Sequence, residues 1–354
     1  MKFRVIGSAI ACVLAIVVST PPAVAAPAND AGLFGSADPT YDGVYRQSYA
    51  LMGLAAAQAE VPDSAIDWLI DQQCADGSFM GYRPDTAVPC PPSDPANFTG
   101  PDTNSTALAL AALVIVSNGQ DAESAAFAAQ DWLRQQQTSG GGFPYYPGGK
   151  ADTNSTGLAL AAFGLVDGTQ RIKQRAAAFL RRHVYGCATE PQQMGGLPYM
   201  AGSLPDALST TQGLLGLADA FIVRERTQRK AAPAMTCGAG DRATDPKDAT
   251  ARWIAAQITT SGGSLPDAFS PEEADWNSTA LGVIGLVATR TSGRATGLAI
   301  AALQENAASY ISDGTTDRPA ALGTLLLAAV ASGEDPREFG GVDLPRRLLA
   351  TLQG

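Results

Sequence analysis

The residues of this chain best suited to chemistry come in copies. Asp102-Thr103-Asn104-Ser105-Thr106 returns as Asp152-Thr153-Asn154-Ser155-Thr156 and as Asp275-Trp276-Asn277-Ser278-Thr279, and more weakly as Asp206-Ala207-Leu208-Ser209-Thr210. Degenerate copies around Asp42 and at Asp317 bring the number to six. Facing carboxylates, Asp102 with Asp152 or Asp152 with Asp206, would suit acid and base work on a glycosidic bond, with Asp267, Glu272 and Glu273 as further loop carboxylates. A hydroxyl nucleophile needs a histidine to activate it, and the one histidine, His183, sits in the basic run Arg181-Arg182-His183, away from the repeats. Gly140-Gly141-Gly142 and Gly148-Gly149 do not make a phosphate loop, because Ala151 follows Lys150 where a nucleotide site needs a hydroxyl. The plainest role for each Asp is to cap a helix, and a lone capping carboxylate is expected to have its pKa lowered, the wrong state for an acid.

Thiol chemistry is excluded in the same way. Cys74, Cys90, Cys187 and Cys237 lack zinc-knuckle spacing, and their even number suits disulfides in an exported protein. Pairing Cys74 with Cys90 and Cys187 with Cys237 closes two long connections without crossing. Export is read from residues 1–25: Lys2 and Arg4, an apolar run containing Cys12, then Ala23-Val24-Ala25 as a cleavage site for a signal peptide. Residues 26–40 read as an N-terminal linker and residues 41–354 as one domain. Without the leader, 22 basic residues face 34 acidic ones, a formal charge of −12. That balance disfavours nucleic acid and anionic lipid, and no run of the mature chain has the length of a membrane span.

The elements that must position these residues follow from hydropathy. Each copy opens about fifteen residues of Ala, Leu, Gly and Val with hardly a charge, so each reads as a helix buried on nearly all sides, its start marked by Asp, Asn, Ser or Thr. Between them lie amphipathic stretches: 63–73, 121–137, 169–183, 245–258, 294–311 and 344–352. Six buried helices alternating with six half-exposed ones predict an all-α α6/α6 toroid. Its inner helices all point the same way and bring the repeated polar residues to one mouth.

Three outer helices run into a further pattern: Trp68 with Gln72-Gln73 and Gly77-Ser78-Phe79, Trp132 with Gln135 to Gln137 and Gly142-Phe143, and Trp253 with Gln257 and Gly263. This resembles the glutamine-aromatic repeat of the squalene-cyclase and prenyltransferase superfamily, and the resemblance implies the α6/α6 toroid over nearly the whole mature chain. The Asp-x-Asn-Ser-Thr start also resembles the helical domain of intrinsic factor and transcobalamin. Protein prenyltransferases hold zinc with Asp, Cys and His, a set this chain does not offer. Class II terpene cyclases protonate an alkene with the central acid of Asp-x-Asp-Asp, and no such motif occurs.

The sequence therefore points to a secreted toroid that binds a ligand without turning it over. The expected ligand contacts are Asp102, Asn104, Asp152, Asn154, Asp206, Asp275 and Asn277 with the loop aromatics Tyr145, Tyr146, Tyr199 and Trp276, while Tyr82, Phe98, Phe143 and Phe269 belong to the same ring of aromatics. The sequence assigns no catalytic residue, and no resident cofactor or metal is expected. The expected partner is a small hydrophobic or corrinoid ligand, the corrinoid by resemblance only, and a corrinoid would need a second chain to complete its site. The alternatives are a divergent isoprenoid cyclase, a carboxylate-dependent glycan enzyme and an envelope protein that binds another protein. A deep aromatic cavity would favour the cyclase, a shallow cleft with facing carboxylates the glycan enzyme, and a plugged centre the interaction protein.

Overall fold

The computed structural model describes residues 30–116, 119–223, 232 and 234–354. The expected signal peptide and Cys12 lie outside the described residues. Helices make up 52% of the described residues, so the loops claim more of them than the hydropathy pattern suggested. Six hairpins follow one another: α1 (Gly43–Ala56) and α2 (Asp63–Asp71), α3 (Thr103–Val116) and α4 (Gly119–Gln136), α5 (Thr153–Gly164) and α6 (Gln170–His183), α7 (Ala207–Leu217) and α8 (Pro246–Ser261), α9 (Trp276–Ala288) and α10 (Gly293–Ile311), α11 (Pro319–Ser332) and α12 (Leu344–Leu349). The first helix of each pair is inner. Each inner helix packs against the inner helices before and after it, and α1 packs on α11, so the chain closes a ring of six with the outer helices around it. The chain is thus an α/α toroid.

The inner helices can come this close because they carry glycine where they touch. A Cβ on Gly157 of α5 would lie 2.5 Å from the Gln212 carbonyl of α7, and one on Gly53 of α1 would lie 2.7 Å from the Gly323 oxygen of α11. Side chains around nearly the whole circumference of α3, α5 and α11 are buried, as apolar helices without a charged face require.

The outer layer is fastened by the glutamine-aromatic pattern. Gln73 Nε2 donates to the Gly77 carbonyl at 3.0 Å and to the Ala125 carbonyl of α4 at 2.8 Å. Gln137 Nε2 repeats this with Gly141 and with Ile172 of α6, both at 2.9 Å. One amide thus ties a loop to the next outer helix. Gly77 and Gly141 turn with φ near +90°, and a Cβ on either would lie within 2.6 Å of a carbonyl oxygen of that helix. Gly32 and Gly195 make the same approach without the full pattern around them.

Residues 30–40, expected as a linker, are packed onto the end of the chain. Leu33 and Phe34 are fully buried, Phe34 bridges to Leu352, and Gly32 N–H donates to the Gln353 carbonyl at 2.8 Å. Buried Gln47 of α1 holds this segment by accepting from Phe34 N–H and donating to the carbonyls of Gly32 and Ala65. The two expected disulfides, Cys74–Cys90 and Cys187–Cys237, are both present.

Candidate functional site

At the mouth, each letter of the repeated motif has a separate task. The Asp caps its helix: Ser105 N–H donates to Asp102 Oδ1 at 2.8 Å, and Ser155, Ser209 and Ser278 do the same to Asp152, Asp206 and Asp275 at 2.6, 2.7 and 2.8 Å. The last Thr fixes the incoming loop. Its hydroxyl takes the N–H of Phe79, Phe143, Leu197 or Leu265 at 2.8–2.9 Å. The hydroxyls of Thr106 and Thr279 also donate to their own Asp carbonyls. The Thr after the Asp interlocks neighbouring repeats, since Thr103 donates from its N–H to Tyr145 O and from its hydroxyl to Pro144 O, and Thr153 does so to Tyr199 and Pro198. Short antiparallel pairs, Phe143–Pro144 (β1) with Ala151–Asp152 (β2) and Leu265–Pro266 (β3) with Ala274–Asp275 (β4), deliver two of the caps to their helices.

The expected lowering of the cap pKa does not occur. Burial pushes Asp102 and Asp152 up to about 6, against the hydrogen bonds from Ser105 and Ser155, and it raises Asp275 as well. Asp102 is 2% exposed and Asp152 1%, so the loss of water around the anion outweighs what the first-turn donors return. The four caps are not brought together as a hydrogen-bonded pair among the described residues, each being spent on its own helix. Asp317, expected to open the last inner helix, instead makes a two-point ion pair with Arg347 of α12 at 2.7 Å, and Arg318 takes the position before α11 without a side-chain cap.

The Asn of the motif points elsewhere. Asn104 Nδ2 donates to Asn154 Oδ1 at 3.0 Å, and Asn154 Nδ2 donates to Gln212 Oε1, which links three consecutive inner helices. Asn277 Oδ1 accepts at 3.4 Å from the hydroxyls of both Tyr45 and Tyr310. Burial raises Tyr45 to about 12 and Tyr310 well above the ordinary phenol range, so both donate as neutral groups. These positions hold amides and phenols, and the Asn104 Oδ1 acceptor is buried without a protein donor.

Two clefts open at this mouth. One, of about 430 Å³, lies between Tyr41, Met80, Tyr82, Phe98 and Tyr145, with Asp102 in its wall. The other, of about 410 Å³, lies between Tyr45, Asn277 and Tyr310 and the charged residues Asp42, Arg46, Asp313, Asp317 and Arg318. The expected aromatics divide between cleft and core. Tyr145 reaches the first cleft, and Phe98, Tyr199 and Phe269 are exposed around the mouth. Phe143 is fully buried, Tyr146 is 7% exposed edge-on to Tyr145, and Trp276 packs against the core. Phe143 is held inward by its own N–H, which donates to the Thr156 hydroxyl at 2.9 Å. Tyr41, Met80, Tyr45 and Tyr310 were missed; Tyr310 ends an outer helix, where no repeat marks it.

His183 ends α6 with Nδ1 2.9 Å from the Phe179 carbonyl, and Cys187 and Cys237 near Asp241 are spent on their disulfide, so no zinc set assembles among the described residues. The two disulfides fit an oxidising compartment, and no helix among the described residues is long and apolar enough to cross a membrane.

Residues 45–189 match the family described as the prenyltransferase alpha-alpha toroid domain. No curated protein matches the sequence. Among solved structures the fold is similar to that of the type II terpene cyclase MstE from Scytonema, at 14% identity over 85% of this chain and 93% of that one, with a TM-score of 0.54. A variant of that cyclase in complex with geranylgeranyl dihydroxybenzoate gives 14% identity, coverage of 86% and 92%, and a TM-score of 0.53. The ent-copalyl diphosphate synthase from Streptomyces platensis gives 15% identity over 82% of this chain and 50% of that chain, with a TM-score of 0.50. The chain has the toroid fold found in terpene cyclases and prenyltransferases. These matches do not show the similarity to intrinsic factor and transcobalamin.

Proposed function

We propose that the chain is an exported binding module that holds a hydrophobic or mixed-polarity ligand in the cleft between Tyr41, Phe98 and Tyr145 without transforming it. The observation that carries this reading is the division of labour within the motif. Every carboxylate of a full copy is committed to its own helix, while the positions that face neighbouring inner helices carry Asn104, Asn154 and Asn277. An amide hydrogen-bonds a ligand but cannot deliver a proton to an alkene. A volume of about 430 Å³ between the rings of Tyr41, Tyr82, Phe98 and Tyr145 fits a small ligand, and Thr40, Thr99 and Asp102 in the same wall supply its polar contacts. A corrinoid outgrows that volume, so it would lie across the mouth and need a second chain above it.

Native mass spectrometry of protein purified from its own host is expected to show one retained small molecule, lost in Tyr145→Ala and Phe98→Ala but kept in Phe127→Ala on the outer surface. Retention that is indifferent to Tyr145 and Phe98 would refute the assignment. One observation favours a second reading, a divergent isoprenoid cyclase: Asp102 titrates at about 6 in the wall of an aromatic cleft, close to where a proton donor would work. Conversion of geranylgeranyl diphosphate or squalene to a cyclic product, abolished by Asp102→Asn, would establish that reading in place of ours.

A further inference from the structure

We infer that the rim of the mouth is a docking surface for a basic protein that presents apolar side chains. The inference does not depend on a ligand in the cleft. Among the described residues, every exposed large apolar side chain except Phe127 of α4 lies in a segment leading into an inner helix or in that helix's first turn. Phe269 is 96% exposed, Tyr41 72%, Phe98 71% and Leu204 70%. They precede α9, α1, α3 and α7, so they stand around the ring and not on one loop. Phe98 is held outward at φ +55°, a conformation that a bulky side chain rarely takes, inside the turn closed by the Asp94–Thr99 bridge and followed by Gly100 at φ +83°. Exposed apolar surface gathered at one end of a protein marks a contact site, whereas scattered single residues do not.

Charge selects the occupant. The six segments that lead into inner helices contain sixteen acidic residues, of which Asp30, Asp102 and Asp152 are buried and Asp42 and Asp317 are paired with Arg46 and Arg347; eleven remain, while the basic residues of the segments are Arg83, Lys150 and Arg318. Arg83 contributes little outward charge, because its guanidinium is turned onto the carbonyls of Asp71, Gln73, Thr86 and Val88. A second copy meeting this one mouth to mouth would set two acidic rims against each other, and nucleic acid or an anionic lipid surface would be repelled. A polypeptide surface with Lys or Arg around apolar side chains satisfies both the charge and the rings.

The test places the photo-reactive residue p-benzoylphenylalanine at Phe98, at Phe269 and, as control, at Phe127, in the full chain exported by its own host. Adducts are identified by mass spectrometry, and the captured protein is then purified and titrated against the unmodified chain. The expected result is one protein, basic at neutral pH, captured at Phe98 and Phe269 but not at Phe127. Its affinity should fall roughly tenfold or more on raising salt from low to physiological strength. Phe98→Ser with Phe269→Ser should weaken it by a similar factor, and Phe127→Ser should not. Equal capture at Phe127, absence of adducts at both rim positions, an acidic partner, adducts between two copies of this chain, or binding to phosphatidylglycerol or phosphatidylcholine vesicles would each overturn it. The capture arm keeps a large aromatic at each position and therefore decides even if a serine variant fails to fold.

Discussion

Replacing Gly157 with Ala should destabilise the protein, while the same change at Gly297 should stabilise it. Both glycines lie within helices, so intrinsic propensity favours Ala by about 1 kcal/mol at each. Their surroundings differ. A Cβ at Gly157 would meet the Gln212 carbonyl carbon and oxygen at 2.5 Å and Gly213 N at 2.7 Å, whereas one at Gly297, exposed on α10, would meet nothing within 4 Å. The obstacle at Gly157 is backbone, so no rotamer relieves it, and α5 must move away from α7 within a closed ring. Overpacking of this kind costs about 1–3 kcal/mol. The rigid contact places Gly157 at or beyond the top of that range, a net loss of about 2 kcal/mol after the propensity gain. Gly297→Ala should gain about 0.5–1 kcal/mol. With a melting shift of roughly 2–4 °C per kcal/mol for a domain somewhat smaller than this one, circular dichroism melts of the oxidised protein should separate the variants by several degrees in opposite directions. A Gly157→Ala protein as stable as the parent would refute the close inner-helix contact as the physical basis of ring closure.

Acidification should also stabilise the fold. Asp102 and Asp152 titrate at about 6 when folded and near the ordinary value of 3.8 when unfolded, so their contribution is complete below about pH 4 and lost as pH rises through 6. Melting temperature should therefore rise from pH 7.5 to 5, and Asp102→Asn with Asp152→Asn should flatten that slope; an unchanged slope would refute burial as the cause. Replacing both cysteines of a pair with Ser should cost about 3 kcal/mol for Cys74–Cys90 and about 4 kcal/mol for Cys187–Cys237, from loops of 16 and 50 residues, with the order checked by denaturant unfolding. Gln73→Ala strips a donor from two carbonyls on different elements and should cost about 1–3 kcal/mol in the same assay, more than Gln257→Ala, whose amide reaches only the Gln192 carbonyl at 3.4 Å.

The ring was legible because its physics is local. An apolar run with a polar first residue has few ways to be buried, and six such runs separated by amphipathic helices closed as expected, with both cysteine pairs formed. The last inner helix shows where pattern alone misleads. Asp317 stands where a cap belongs, yet a guanidinium from α12 offers it a two-point partner, and that partner lies 30 residues further along the chain. The packing of residues 30–40 on the C-terminus was hidden for the same reason, since buried Gln47 and the end of the chain recognise that segment through backbone atoms that no side-chain pattern reveals.

The mouth was legible in composition but not in allocation. The sequence shows that Asp, Asn, Ser and Thr gather there. It does not show that Asp and Thr turn back onto backbone while Asn154 spans from Asn104 to Gln212. That allocation decides the chemistry. The protonation state of the caps was misread because a helix dipole and two first-turn bonds can be inferred from spacing, whereas the loss of water at Asp102 and Asp152 depends on loops contributed by neighbouring repeats. Thr103 bonds the loop ahead of α5 and Thr153 the loop ahead of α7, so the starts of α3 and α5 are each covered by the following repeat. In the loops so held, Phe143 lies inside and Tyr199 outside. A loop held at both ends by neighbouring helix starts has little freedom to turn its outer rings into the core. The exposure of Tyr199 is therefore a consequence of how these repeats lock together, and substitutions that loosen the lock, such as Thr153→Val, should make this part of the rim less able to hold a partner.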